Sequence, residues 1–150
     1  MRHISIIKSE GLEISQPALD PVKSVVHHTI IASKKNGREN KRIRNSWVEI
    51  MAPVFSKAAW QCVWYMMIQN DQIHAWGLDR QYGYCAEGDR TKNVGVVDSE
   101  YVVHLGLSTL AVLEQYKVRR QSYIEMKMFG QRWNDATKNA ECWIDIYQKH

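Results

Sequence analysis

The run from Val94 to Val97 constrains the fold most, because it is short and apolar throughout. Such a run is typical of a central strand that is covered on both faces. The chain then passes through Asp98, a serine and a glutamate before it reaches His104. In open α/β sheets, ligands bind beyond the carboxyl ends of the strands, so this acid and this imidazole are candidate site residues.

A second polar cluster, Trp76-Gly77-Leu78-Asp79, lies between two hydrophobic stretches of helical spacing. Its glycine permits a sharp turn or the close approach of a ligand, and its indole offers a flat apolar wall. Asp79 is expected at the start of a new helix, where a negative charge is favoured. The two clusters together predict one site. A helix-capping aspartate beside a core tryptophan is the open alternative.

The remaining patterns predict a mixed α/β domain. Three further segments have the composition of strands: Leu12 to Ser15, Val25 to Ala32, and Trp47 to Phe55. Helices are expected at four places: Arg2 to Lys8, the stretch after an N-cap at Ser56, Asp71 to Cys85 with a break near Gly77, and the amphipathic stretch from Arg119 onward. The helix after Ser56 is apolar nearly all round, which predicts burial, and Ser33 to Ser46 is interpreted as a loop.

Two polar features within predicted strands have different implications. Glu49 interrupts an apolar strand, and a buried carboxylate needs a partner, so it is a candidate contact for a basic residue or an acceptor. His27 and His28 are neighbours in a strand and point to opposite faces, so the pair is not expected to chelate one ion.

The three cysteines form no C-x-x-C pair, which argues against structural zinc. Cys62 lies on an apolar helix and is interpreted as a small buried hydrophobic residue. Pairing of Cys85 with Cys142 in an oxidising lumen is left open.

Composition bounds the class of protein. A chain of 150 residues with 45% hydrophobic residues can form one domain with a modest core. The net charge of +4 is mild, and the basic stretch from Lys34 to Arg44 contains no aromatic residue, so nucleic-acid binding is not expected. No apolar run approaches the roughly 18 residues of a membrane span.

Four segments carry a resemblance to a known family: Ile4 to Asp20, Val48 to Ser56, Trp76 to Asp79, and Asn93 to His104. The chain resembles a plant domain-of-unknown-function family whose members are often labelled lysine-ketoglutarate reductase trans-splicing related. The resemblance covers most of Ile4 to Leu110. That family in turn is similar to GT-A-type glycosyltransferases, which transfer a sugar from a nucleotide donor.

The resemblance implies a partial GT-A-like α/β domain: a mixed sheet flanked by helices and closed by a long C-terminal amphipathic helix. Residues 1–110 would be the family core and residues 111–150 the helical segment of a single domain. Full-length relatives have an acidic motif upstream of the part that matches Arg2 to Asp20. This chain is therefore expected to be a truncated, inactive product, without the N-terminal anchor that would hold a relative in the Golgi membrane.

The resemblance also implies roles for individual residues. Asp79 would be the catalytic base, and a nucleotide-sugar and a glycan acceptor would be the substrates. The substrate-binding residues would be Trp76, Gly77, Asp98 and Glu49. In full-length relatives His104 would complete a site for manganese or magnesium. The alternative function is a non-catalytic protein-interaction domain that uses the tryptophans and the basic loop.

Overall fold

The computed structural model describes residues 2–25, 43–45, 47–68, 72–106 and 111–139. Its centre is a mixed sheet in the order β2-β4-β1-β3, with β1 Ile14–Leu19, β2 Ile43–Asn45, β3 Val54–Phe55 and β4 Val94–Val102. β1 and β4 are parallel, while β2 and β3 run antiparallel on the outer sides of β4 and β1. The prediction that Val94 begins a central strand is therefore confirmed, and β4 continues five residues beyond the predicted end at Val97.

Helices cover both faces of this sheet: α1 Arg2–Glu10, α2 Lys57–Val63 with a following π-helical turn Trp64–Ile68, a 3₁₀ helix Asp79–Cys85, α3 Arg90–Asn93 and α4 Val112–Asn139. On one face, Ile6 and Leu12 pack against Val97. On the other face, the main core joins Ile14 of β1 to Val63 of α2, Tyr82 of the 3₁₀ helix and Phe129 of α4. The expected mixed α/β architecture with a long C-terminal helix is confirmed.

The register of the two parallel strands shifts at Pro17. This residue lies opposite Val97, but the next residue, Ala18, lies opposite Tyr101, so residues 98–100 have no partner on β1. Proline lacks the N–H that would continue the ladder, and a strand adjusts to this with a bulge. The predicted strand therefore does not end before Pro17 but continues through it, and Asp98 begins the bulged segment.

The predicted strand from Trp47 to Phe55 is wrong over most of its length. Trp47 to Glu49 belongs to no strand or helix, a turn follows, and only Val54–Phe55 pairs with β1. The Gln16 side chain explains the difference, because its Oε1 accepts the backbone N–H of Glu49 at 2.5 Å in place of a ladder partner.

The predicted loop from Ser33 to Ser46 contains β2, so that prediction is wrong for residues 43–45. These residues become a strand because they pair with the free side of β4, a tertiary effect that local composition does not reveal. The rest of that loop, the predicted strand from 26 to 32 and the histidine pair lie outside the described residues.

Helix α2 begins after the predicted N-cap at Ser56, but it is not buried on all sides as predicted. The Ser56 hydroxyl accepts the N–H of Ala59 at 3.0 Å and donates to the Glu13 carboxylate. Burial all round is wrong, since Trp60 and Trp64 are each 43% exposed and Tyr65 is 68% exposed. Only one side of the helix contacts the core, so the aromatic side chains on the other side face solvent.

Cys62 forms a disulfide with Cys85, which corrects its interpretation as an unpaired buried residue. The Cα atoms are 5.5 Å apart, and the bond joins α2 to the end of the 3₁₀ helix. Cys85 is therefore not available to Cys142, which lies outside the described residues. Among the predicted helical segments, residues 72–78 are not helical, and the 3₁₀ helix begins only at Asp79.

Helix α4 starts at Val112, before the predicted Arg119. Its buried stripe contains Phe129, as predicted, and also two polar residues, Ser122 and Glu125. No helix in the described part of the chain combines the length and the hydropathy that a bilayer span requires.

Candidate active site

The loop that leads into Asp79 has an unusual backbone. Ala75 and Gly77 have φ values of 57° and 90°, in the left-handed region that glycine adopts without strain. A Cβ on Gly77 would lie 2.8 Å from Cγ of Met126, so this position also requires glycine because α4 passes close by. The predicted sharp turn at Gly77 is confirmed, and its physical cause is the close approach of the helix.

Glu125 of α4 holds this loop in place. Its carboxylate accepts the backbone N–H of His74 at 2.9 Å, contacts Nδ1 of the same residue at 3.1 Å and accepts the Gln121 amide at 3.3 Å. Glu125 is only 6% exposed. The backbone N–H of His74, followed by its imidazole and the Gln121 amide, lowers the pKa of Glu125. The ionised form is therefore the one that binds the loop.

Asp79 is half-buried at the first turn of the 3₁₀ helix. Burial raises the pKa of Asp79, and the nearby negative charge of Glu49 raises it further. The backbone N–H of Arg80 opposes this shift without cancelling it. Burial and the charge of Asp79 in turn raise the pKa of Tyr82 to about 12. The charges of Asp79 and Glu49 thus interact, and these two residues are called the carboxylate pair. The neighbouring Tyr82 keeps its proton at neutral pH.

The carboxylate pair lies over one face of the sheet. Gln16, which is 2% exposed, bonds the backbone of Glu49 and is the register partner of Val96. Asp98 follows Val96 by two residues and begins the bulged segment of β4. The structure therefore brings the charges of Asp79 and Glu49 within reach of each other, while Asp98 lies at the bulge of β4.

Trp76 and His104 are not joined to this pair. Trp76 is 41% exposed, so the alternative of a core tryptophan is wrong. The His104 backbone N–H donates to the Ser24 hydroxyl at 3.0 Å, and its Nδ1 donates to the Val25 carbonyl at 3.1 Å. Within the described ranges, neither residue makes a hydrogen bond or an ion pair with Asp79 or with its partner carboxylate.

The described residues do not fit a divalent metal. The bond from Nδ1 of His104 leaves Nε2 as the nitrogen for a ligand, which is the arrangement of metal-binding histidines. Manganese and magnesium need several further oxygen ligands. No group of three histidine, cysteine or carboxylate side chains suited to a metal occurs in the part of the chain that the structure describes. No catalytic step is therefore assigned to a metal held by these residues.

Three further residues of the site were not anticipated from the sequence: Gln16, Tyr82 and Glu125. Gln16 is a buried polar residue between Ile14 and Ala18 in β1, and Glu125 occupies the buried stripe of an amphipathic helix. Both are polar residues at positions where the pattern requires apolar ones, which is a usable signal. Tyr82 gave no such signal, because its position depends on the 3₁₀ helix.

The fold and this site define a mixed α/β domain with a half-buried carboxylate pair on one face of its sheet. The chain belongs to the family described as "Protein of unknown function (DUF707)", whose model matches residues 1–139. This match confirms the expected domain-of-unknown-function family. Neither a curated protein nor a solved structure matches the chain.

Proposed function

We propose that this domain transfers a sugar from a nucleotide-sugar donor to an acceptor hydroxyl, with Asp79 as the general base. One observation carries the proposal: Asp79 lies half-buried in the first turn of the 3₁₀ helix, where burial and the charge of Glu49 raise its pKa. A carboxylate with a raised pKa is a stronger base at neutral pH than an ordinary aspartate. Such shifts concentrate at functional sites.

In the proposed reaction, the acceptor hydroxyl donates a hydrogen bond to the Asp79 carboxylate. The carboxylate removes the proton while the acceptor oxygen forms a bond to the anomeric carbon of the donor. The bond to the diphosphate breaks, and the electron pair leaves with it. Glu49 strengthens the base, because protonation of Asp79 relieves the repulsion between the two carboxylates.

The other candidate residues have supporting roles in this proposal. The exposed indole of Trp76 offers a wall for the apolar face of a sugar ring. Gly77 keeps the loop close to α4 and so fixes the entry to the 3₁₀ helix. Asp98 lies at the bulge of β4, where its carboxylate would accept hydrogen bonds from donor hydroxyls.

The disulfide between Cys62 and Cys85 supports a location in an oxidising compartment. Disulfides persist in the secretory pathway and are rare in the cytosol. The proposed site of action is therefore the lumen of the secretory pathway, including the Golgi, where acceptor glycans also occur.

The proposal is tested with a panel of nucleotide sugars and glycan acceptors, using this chain and a longer family member. Replacement of the base, Asp79→Asn, is expected to lower kcat by about 10²- to 10⁴-fold, the usual contribution of a general base. Asp135→Asn, an exposed aspartate on α4, is the matched control and should keep full activity. Turnover of no donor by either wild-type protein, or transfer by Asp79→Asn within a few-fold of wild type, would contradict the proposal.

The rival interpretation is a non-catalytic protein-interaction domain. It is less well supported, because it gives no role to the carboxylate pair of Asp79 and Glu49. Two nearby carboxylates, one of them half-buried, cost stability and are retained most readily where function requires them.

A further inference from the structure

An exposed aromatic cleft lies on the outer side of α2 and the π-helical turn. Its walls are Trp60, Gln61, Trp64 and Tyr65, and its volume is about 250 Å³. The two indoles have centroids 5.8 Å apart with planes inclined at 43°, so they are tilted rather than stacked on one another. This arrangement leaves aromatic surface open to a ligand.

The aromatic cleft is built on a rigid support. The opposite side of the same helix buries Ala59 and Val63 completely, and Cys62 is bonded to Cys85. Phe55 braces the rim, because its ring lies 5.5 Å from the Trp60 ring. A site that is held in shape before binding loses little conformational entropy when a ligand enters.

The same contacts connect the cleft to the carboxylate pair. The Phe55 ring packs edge to face against Tyr82, with centroids 5.2 Å apart. The charge of Asp79 contributes to the raised pKa of Tyr82. Because Tyr82 is only 3% exposed, these contacts run through the core and fix the cleft relative to the 3₁₀ helix that begins at Asp79. A ligand bound in the cleft would therefore keep a fixed position relative to Asp79.

The chemistry of the walls selects a neutral ligand with both apolar and hydroxyl surfaces. None of the four lining residues carries a charge, which disfavours nucleic acid and anionic lipid headgroups. The Gln61 amide and the Tyr65 hydroxyl can donate and accept hydrogen bonds. Pyranose rings match this set, because their C–H faces stack on indoles while their hydroxyls remain available at the edges.

The size of the surface argues against a protein partner. The three aromatic side chains are 43% to 68% exposed. At roughly 150–250 Å² per aromatic side chain, they offer on the order of 300 Å². A stable protein interface needs about 800 Å² from each partner.

We propose that the aromatic cleft binds the acceptor, a neutral glycan of several pyranose units. This inference rests on the proposed transferase function and adds the class and docking surface of its acceptor.

The test uses the full 150-residue chain and neutral oligosaccharides of glucose, xylose and galactose. Chemical shifts of the Trp60 and Trp64 indole N–H groups are followed by NMR during titration. At least one oligosaccharide should shift both signals saturably. Trp64→Ala and Tyr65→Ala, each at a largely exposed ring, should weaken this binding by about tenfold or more, as expected when an aromatic contact is lost. Tyr116→Ala changes an aromatic ring on α4 that is 76% exposed and serves as the matched control.

The inference is overturned if no oligosaccharide shifts the indole signals, or if Trp64→Ala and Tyr65→Ala both bind as tightly as wild type. The Asp79→Asn variant separates it from the proposed function. Retained glycan binding with lost transfer supports both proposals. Glycan binding in a protein that turns over no donor supports the cleft and removes the transferase function. Transfer that depends on Asp79 but not on the cleft residues removes only the cleft.

Discussion

The disulfide between Cys62 and Cys85 makes the stability of this chain depend on its redox state. The bond links residues separated by 23 positions. Cross-linking a loop of this length removes unfolded-state entropy worth about 3 kcal/mol. For a domain of 150 residues, a loss of that size lowers Tm by about 10 °C.

Thermal unfolding by circular dichroism, with and without a phosphine reductant, measures this effect. The reduced protein and the double variant Cys62→Ala/Cys85→Ala should both melt about 10 °C below the oxidised protein. The control Cys142→Ala keeps the bond and should retain the full response to reductant. Tryptic digestion without reduction should join peptide 58–80 to peptide 81–90 and leave peptide 139–149 with a free thiol.

Two results would refute this reasoning. A digest in which peptide 139–149 is linked to peptide 81–90 would show that Cys85 pairs with Cys142. Melting temperatures that do not respond to reductant, in a protein whose digest contains the 58–80 to 81–90 link, would show that the cross-link does not limit the unfolded state.

Three further substitutions test the site. Asp79→Asn should raise stability at neutral pH. The raised pKa of Asp79 makes the stability of the wild type fall as pH rises above 3.8, and the urea midpoint of the variant should not show this fall. Glu125→Gln should be less stable than wild type at neutral pH. The lowered pKa of Glu125 makes its contribution to stability present above pH 4.5 and lost on further acidification, so the variant should lose less stability in acid. An unchanged loss of stability in acid would contradict the role of Glu125 in holding the His74 loop. Gly77→Ala should lower the free energy of unfolding by about 2 kcal/mol, measured with denaturant. Adding Met126→Ala to this variant should restore only the part of the loss that comes from the clash with Met126. A Gly77→Ala variant as stable as wild type would contradict the constrained turn.

The reliable part of the sequence analysis concerned elements with strong local signals. The apolar run at Val94, the Ser56 cap and the amphipathic C-terminal helix depend on short-range patterns, and each is present in the structure. Gly77 was also correctly assigned to a turn, since few residues other than glycine adopt its φ of 90°.

The errors arose where tertiary contacts decide the outcome. The strand predicted at Trp47 failed because the Gln16 side chain takes the place of a ladder partner. Helix α2 is half exposed because its aromatic side has no covering element among the described residues, although hydropathy alone favours burial. The partner of Cys62 could not be deduced either, because three cysteines allow several pairings and only the fold brings two of them together.

The candidate site was partly predictable for the same reasons. Asp79 was singled out at an expected helix start and Glu49 as a carboxylate within an apolar strand, but their proximity depends on the path of the segment after Trp47. Glu125 was missed although its polar side chain lies in the buried stripe of α4, and its partner, the loop at His74, is revealed only by the fold.

The most direct test of this account is the pKa of Asp79, measured from the pH titration of its carboxyl ¹³C signal in the folded chain. The account predicts a value above 3.8 that moves back toward 3.8 in Glu49→Gln, where the neighbouring charge is removed. A wild-type value at or below 3.8 would remove the proposed base. A raised value that Glu49→Gln leaves unchanged would show that Glu49 does not act on Asp79 and would contradict the carboxylate pair.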